Sequence, residues 1–217
     1  VGSPPAAPFF KDVDLPSTER AHIEWLAADL SDYQDAALAG KFARLVTDAW
    51  DAERRAGGDG SFTAKVAFGY HKLLAYKDEY EVARLLLAFP SVPGAEVRTM
   101  WLLHPPALRT RGLKHKIRLG PWSRPAMRAL RASRRVRGSA LDLFGRTPLR
   151  RTERELPVEY AAAVRSLLPR LDASGLDAAT EIAHLPDKVR GYENVKERSV
   201  AVYREELSER LARYPSP

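Results

Sequence analysis

The chain has 217 residues, 45% of them hydrophobic, which is enough for a buried core at this length. It contains no cysteine. Disulfides, cysteine-ligated iron–sulfur clusters, cysteine zinc sites and a thiol nucleophile are therefore excluded within this chain. No apolar run approaches the roughly 18 residues that a membrane span needs. We expect a soluble protein, and the lack of cysteine fits a reducing cytoplasm.

Positive charge is concentrated in one segment. Residues 97–141 hold 12 of the 35 Lys and Arg residues and no Asp or Glu. The rest of the chain has 23 basic and 28 acidic residues, so it carries a net charge of −5, although the net charge of the whole chain is +7. We therefore expect an anionic partner for this segment and not for the chain as a whole.

Hydrophobic periodicity predicts a mainly α fold of the α+β class, a helical domain with a small β-hairpin inserted around residues 96–119. Residues 1–16 are proline-rich and are predicted to form a flexible tail, followed by a single helical domain over residues 17–217. A proline inside the fifth predicted helix, Pro157, should kink or split it. A capping box of Ser174 and Asp177 should begin the sixth. The predicted helices cover residues 18–30, a second helix from a cap at Ser31 or Asp32 to residue 56, and residues 61–89, 124–136, 147–168, 174–184 and 194–214. The first helix could also continue into the second.

A single central helix is predicted from Ser61, as its cap, to Phe89. Three charged residues, Lys77, Glu81 and Arg84, fall on the apolar side of this helix at i, i+4 and i+7. A solvated helix places its charges on the opposite face. We predict a paired network in which Lys77 and Arg84 flank Glu81; the alternative is a surface that faces a partner.

Two further basic residues, Arg190 and Lys196, lie on either side of Gly191, a position where we expect a positive φ. They could bind an anion, or their segment could cover the central helix and pair with its acidic residues. Structural pairing is the favoured interpretation.

The basic segment 97–141 is predicted to combine the hairpin with a basic helix. It could bind phosphates, or pack on an acidic surface of the same polypeptide or of a subunit. Few aromatic residues are interleaved with its arginines, which disfavours binding to single-stranded nucleic acid. The candidate contact residues are Lys116 in the hairpin and Arg128, Arg131, Arg134, Arg135 and Arg137 on the helix and its end.

No complete catalytic motif is present. The chain has no Walker or Rossmann glycine loop and no nucleophile elbow. Its most suggestive histidine, His104, precedes two prolines at a predicted strand end, where a hydrogen bond that shapes the turn is favoured over a catalytic role. The triplet Gly58-Asp59-Gly60 matches the first half of a thiamine diphosphate signature. No asparagine pair follows it, since Asn194 is the only asparagine, so we predict a turn between two helices.

Six segments, in chain order, resemble the C-terminal domain of indolepyruvate ferredoxin oxidoreductases, the single-chain bacterial 2-oxoacid:ferredoxin oxidoreductases. The resemblance covers about residues 20–214. It departs at Pro157, in a helix expected to be continuous, and at Glu193-Asn194, where many relatives carry Gly-His. The segments are DLSDYQDAALAGKF (29–42), YHKLLAYKDEYEVARL (70–85), LLHPP (102–106), KIRLGPW (116–122), RVRGSALDLFG (135–145) and LPDKVRGYENVKE (185–197).

The resemblance implies a parent enzyme that oxidatively decarboxylates aryl-2-oxoacids such as indolepyruvate to the acyl-CoA and passes the electrons to ferredoxin. It implies thiamine diphosphate, iron–sulfur clusters and CoA in the full enzyme, with none of these cofactors held by this chain. We expect a cytoplasmic, non-catalytic C-terminal module, excised or separately encoded, that serves assembly or docking.

The partners implied for this module are the remaining domains or subunits, and an acidic ferredoxin or the phosphates of CoA at the basic segment. The alternative is a stand-alone regulatory or nucleic-acid-binding helical protein that uses residues 97–141. Nucleic acid is the less favoured partner, and no membrane partner is expected.

Overall fold

A computed structural model confirms that the protein is mainly helical. It describes residues 8–88, 101–103, 117–142, 144–191 and 193–215. Short 3-10 turns precede α1 and flank α5, α6 and α7. Within the described ranges the helices are α1 (Arg20–Tyr33), α2 (Ala36–Arg55), α3 (Ser61–Leu74), α4 (Glu79–Ala88), α5 (Arg124–Ala132), α6 (Pro148–Leu167), α7 (Leu176–His184) and α8 (Glu193–Arg213), and the strands are β1 (Trp101–Leu103) and β2 (Ile117–Leu119).

The described residues form two compact units. The main unit comprises the described parts of 8–75 and 148–215, and the inserted unit comprises those of 76–147. The inserted unit thus interrupts the main unit along the sequence. The single helical domain predicted over residues 17–217 includes both units.

The main unit is built around α3, which packs against α1, α2, α6 and α7. A Cβ on Gly69 of α3 would lie 2.9 Å from both the Ala183 carbonyl and the Tyr160 hydroxyl, so only glycine permits this approach. The Tyr160 hydroxyl donates to that carbonyl at 2.8 Å. Burial raises the pKa of Tyr160 well above its ordinary value. Helices α6 and α7 are therefore fixed onto α3 at one close crossing.

The proline-rich start of the chain is packed where the structure describes it. Phe10 is fully buried and Leu15 is 3% exposed, both in the core of the main unit. The Trp50 indole N–H donates to the Asp14 carbonyl. The flexible tail predicted for residues 1–16 is therefore wrong for residues 9–15, whose apolar side chains outweigh the proline signal, and residues 1–7 lie outside the described ranges.

In the inserted unit, α4 packs against α5. β1 and β2 pair antiparallel, with Trp101 opposite Leu119 and Leu103 opposite Ile117. The described residues do not show the β-hairpin predicted around residues 96–119, because its connecting loop and its outer residues lie outside the described ranges. The apolar contact between the two helices is made by Ala83, Leu86, Leu87, Met127 and Leu130.

The prediction of one central helix from Ser61 to Phe89 is wrong. The chain forms α3 and α4, separated at residues 75–78. The carboxylate of Asp78 accepts a hydrogen bond from the Glu81 backbone N–H at 2.9 Å, as an N-cap does. Asp78 and Glu81 have the spacing of a capping box. This local signal for a helix start outweighs the apolar periodicity that runs through the break.

Two other local helix signals concern α6 and α7. Of the kink or split predicted at Pro157, the split is wrong, since α6 runs continuously from Pro148 to Leu167. The predicted capping box of Ser174 and Asp177 is not formed. Instead the Asp172 carboxylate accepts from the Gly175 N–H at 2.8 Å and from the Ser174 hydroxyl at 2.7 Å, which closes the turn just before α7.

Candidate functional site

A buried ion pair organises the inserted unit. Arg137 donates to the Asp78 carboxylate through Nε and through Nη2, the latter at 2.9 Å, and each side chain is only 4% exposed. The guanidinium also lies 5.4 Å from the Tyr80 ring centroid. Losing one member of a buried pair typically costs about 3–5 kcal/mol, because the other charge is left unpaired. Arg137, predicted from its charge to belong to a basic surface, is therefore a structural residue.

A second buried carboxylate, Asp142, holds the chain that follows α5. It accepts from the backbone N–H groups of Gly138 at 2.8 Å and Gly145 at 2.9 Å. It also accepts from the Tyr80 hydroxyl at 3.2 Å. Burial, together with the negative charge of Asp142, raises the pKa of Tyr80 to about 12. This tyrosine stays protonated at neutral pH, so it remains a hydrogen-bond donor linking α4 to the chain after α5.

Two members of the predicted charged trio form a pair. Arg84 donates to Glu81 at 2.8 Å from Nε and at 2.9 Å from Nη2. Glu81 is 5% exposed, so this pair is largely protected from solvent. Lys77, in contrast, is exposed and lies in the break before α4. The shared helix face predicted for all three residues is wrong because the helix itself is interrupted.

Arg190 and Lys196 form structural ion pairs in the main unit, as favoured. Arg190 donates to the Asp187 carboxylate at 2.6 Å, and Lys72 of α3 donates to the same carboxylate at 3.0 Å. The hydrogen bond from Lys72 contributes most to a lowered pKa of Asp187. Lys196 donates to Glu153 of α6. The acids that pair with these cations are therefore Asp187 and Glu153 and not the acids of the predicted central helix.

Glu53, at the end of α2, is a buried carboxylate that the sequence did not single out. It is 1% exposed and caps the start of α3. One oxygen accepts from the N–H groups of Gly60 at 2.9 Å and Phe62 at 3.1 Å. The other accepts from the N–H of Thr63 at 2.8 Å and from its hydroxyl at 2.6 Å. Ser61, the predicted cap, is instead the first helical residue.

The glycine-rich link explains how α3 returns to the end of α2. Gly57 and Gly60 both have positive φ, of 79° and 102°. The Gly58-Asp59-Gly60 triplet is thus a turn between helices, as predicted. This short link is the one sequence signal that could have placed the N-terminus of α3 beside the last turn of α2.

A row of arginines lies along one side of α5 and the turn after it. Arg128 and Arg135 are exposed, while Arg124 and Arg131 are half-buried. Arg134 does not lie on the same side of the helix as these four residues, since it follows the buried Met127 by seven residues. Its Nε is buried and has no hydrogen-bond partner among the described residues. We call the row of Arg124, Arg128, Arg131 and Arg135, spaced at i, i+4, i+7 and i+11, the basic stripe.

Two arginines of the basic stripe, Arg128 and Arg135, are not neutralised by an ion pair. Within the described part of the chain, neither of them forms a salt bridge with a carboxylate. In the main unit, by contrast, Arg204 on α8 pairs with Glu159 at 2.6 Å, although Arg204 is 41% exposed. The sequence around Arg128 and Arg135 contains no acidic residue, so these two arginines form a locally positive surface.

The remaining candidate residues, His104 and Lys116, lie outside the described residues. Among the residues that the structure describes, no group of three or more His, Asp or Glu side chains is arranged to hold a metal ion. No described helix is long and apolar enough to cross a membrane.

The described structure thus combines a helical main unit with an inserted unit that carries a basic helix surface. The profile of DUF6537, a family of unknown function, matches residues 20–209. Since the match spans most of the sequence, the chain belongs to this family. No curated protein and no solved structure matches it significantly.

Proposed function

We propose that this chain is the C-terminal, non-catalytic module of a cytoplasmic 2-oxoacid:ferredoxin oxidoreductase of the indolepyruvate type. The six ordered segments support this parent enzyme, and several of them carry the buried frame described above. Residues 70–85 contain Asp78 and Tyr80, and residues 135–145 contain Arg137 and Asp142. The resembling residues thus hold the fold together, which favours a shared framework over an active site in this module.

The module's role in this proposal is docking, and the observation that carries it is the exposed pair Arg128 and Arg135. Their charge faces solvent without a carboxylate neighbour among the described residues. An acidic ferredoxin, the phosphates of CoA, or an acidic surface of the remaining domains or subunits would satisfy it. The β1–β2 strand pair belongs in this proposal to the β-hairpin around residues 96–119.

In the full enzyme, thiamine diphosphate, CoA and the iron–sulfur clusters would be held outside this module. The chain has no cysteine and so provides no thiolate ligand for a cluster.

The proposal is tested by isolating the native protein with antibodies raised against this chain. Material eluted from the antibodies should reduce methyl viologen only when indolepyruvate and CoA are both present, and it should contain thiamine diphosphate. An unrelated antibody provides the control. If this activity stays entirely in the unbound fraction while the antibodies remove the chain, the assignment to the oxidoreductase is wrong.

A further inference from the structure

An exposed tryptophan is held in a defined place next to the basic stripe. Trp122 is 73% exposed and precedes the first arginine of the stripe by two residues. It lies in a turn that is fixed by Ser123, whose hydroxyl and N–H both donate to the Gly120 carbonyl, at 2.7 and 3.0 Å. Ser123 itself is 1% exposed. The buried serine therefore anchors the turn while the indole beside it faces solvent.

Gly120 leaves room for the indole to lie against this turn. A Cβ at this position would lie 3.2 Å from Trp122 Cδ1 and 3.3 Å from Nε1, closer than ordinary packing allows. The indole thus lies against the backbone at Gly120 while most of its surface faces solvent. A large, rigid aromatic side chain loses little conformational freedom on binding, which is why such residues serve as anchors in protein interfaces.

We propose that Trp122 and the basic stripe together form a docking surface for a small acidic protein, with Trp122 as the apolar anchor and Arg128 and Arg135 as the charged rim. This inference rests on the docking role proposed above and names the partner class. Tryptophan and arginine are the residue types most enriched at protein interfaces.

The surface fits a protein better than a phosphate ligand. A phosphate group has no apolar part for Trp122 to contact. Leu141, at the end of the acid-free segment, is also 73% exposed, so this unit presents more than one apolar side chain to solvent. Single-stranded nucleic acid is bound by several stacked aromatics along a groove, and the described part of the segment places one exposed tryptophan beside the arginines.

The test measures binding of the full chain to an acidic bacterial ferredoxin by calorimetry at several salt concentrations, with free CoA and a mixed-sequence DNA duplex as comparison probes. The variants are Arg128→Glu with Arg135→Glu, and Trp122→Ala. The matched control is Arg198→Glu, an exposed arginine on α8 of the main unit. Circular dichroism confirms that each variant is folded.

We expect ferredoxin to bind, and the double reversal to weaken binding about tenfold or more at low salt and to flatten its salt dependence. Trp122→Ala should weaken binding severalfold without changing the salt dependence, because it removes apolar contact and no charge. Arg198→Glu should change affinity much less than the double reversal.

The inference is overturned if ferredoxin does not bind, if CoA or DNA binds more tightly, or if Trp122→Ala binds like the wild type. Because the assay contains no enzyme activity, a failure here leaves the immunopurification result to decide the parent enzyme separately.

Discussion

Replacing Glu53 should destabilise the main unit more than any surface substitution. The carboxylate is almost fully buried and accepts four hydrogen bonds, three of them from backbone N–H groups at the start of α3. Loss of an ordinary N-cap costs about 1 kcal/mol. Each buried donor left unsatisfied costs about 1–3 kcal/mol, and water entering the space left by the side chain recovers part of this. We therefore expect Glu53→Ala to lower the free energy of unfolding by about 3–5 kcal/mol.

The Glu53→Gln substitution separates the capping role from simple packing. One oxygen remains for Gly60 and Phe62, but the amide nitrogen now faces the N–H of Thr63, which is a donor opposite a donor. The expected loss is about 2–3 kcal/mol. A Glu209→Ala control removes an exposed carboxylate whose pair with Arg213 spans 3.8 Å, and it should cost less than about 0.5 kcal/mol.

The assay is urea unfolding followed by helical circular dichroism at 25 °C. The variants are compared at equal protein concentration, and the slope of each transition is checked before free energies are compared. If Glu53→Ala unfolds within about 1 kcal/mol of the Glu209→Ala control, Glu53 does not cap α3 in solution and the reasoning fails.

Two further predictions concern the crossing of α3 with the C-terminal helices and the acid limit of stability. Gly69→Ala should lower the free energy of unfolding by about 1–3 kcal/mol, because the added Cβ would meet the Ala183 carbonyl. Gly40→Ala in α2 should raise it by about 0.5–1 kcal/mol, because the nearest atom to the added Cβ is the flexible end of the Arg44 side chain at 3.7 Å. Equal melting temperatures for the two variants would contradict this reasoning. The pKa of Asp187 is lowered from 3.8, so the stability contributed by its pair with Lys72 is present well above pH 3.8 and declines as pH falls through the lowered pKa. Asp187→Asn should therefore lower the melting temperature more at pH 7 than at pH 3, and an equal loss at both values would argue against the pair.

The sequence predicts those parts of the fold that follow from local periodicity. The final helix, predicted over residues 194–214, is observed at Glu193–Arg213. The basic helix predicted over residues 124–136 is observed as α5, with Pro125 in its first turn and with Met127 and Leu130 facing inward. These elements are predictable because one face of each helix is buried, and this burial imprints a 3.6-residue period on the sequence.

The ion pairs of the site could not be predicted in the same way. Arg137 and Asp78 lie 59 residues apart, and the sequence around Arg137 presents several arginines of equal charge. Only the fold determines that Arg137 is buried, that Arg134 turns inward and that Arg128 stays exposed. Charge counting therefore locates the basic segment but overestimates how much of its charge reaches solvent.

The break after α3 was predictable in principle. Asp78 and Glu81 carry the spacing of a helix start, and this signal competed with an apolar stripe that ran from Tyr70 to Tyr80. Glu53 is different, because a glutamate at the end of a helix is usually solvated. Glu53 is buried because the N-terminus of α3 lies beside it, and hydrophobic periodicity does not predict where that N-terminus is placed.

The interrupted arrangement of the main unit has a consequence during protein synthesis. The pair of Lys72 with Asp187 joins residues 115 positions apart, and every residue of the inserted unit is made between them. At about 5–20 residues per second, α3 waits roughly 5–20 seconds for its partners to be translated. Closing so long a loop also costs about 4 kcal/mol in chain entropy. The apolar surface of α3 is therefore exposed on the nascent chain for seconds, and a ribosome-bound chaperone has that interval in which to bind it.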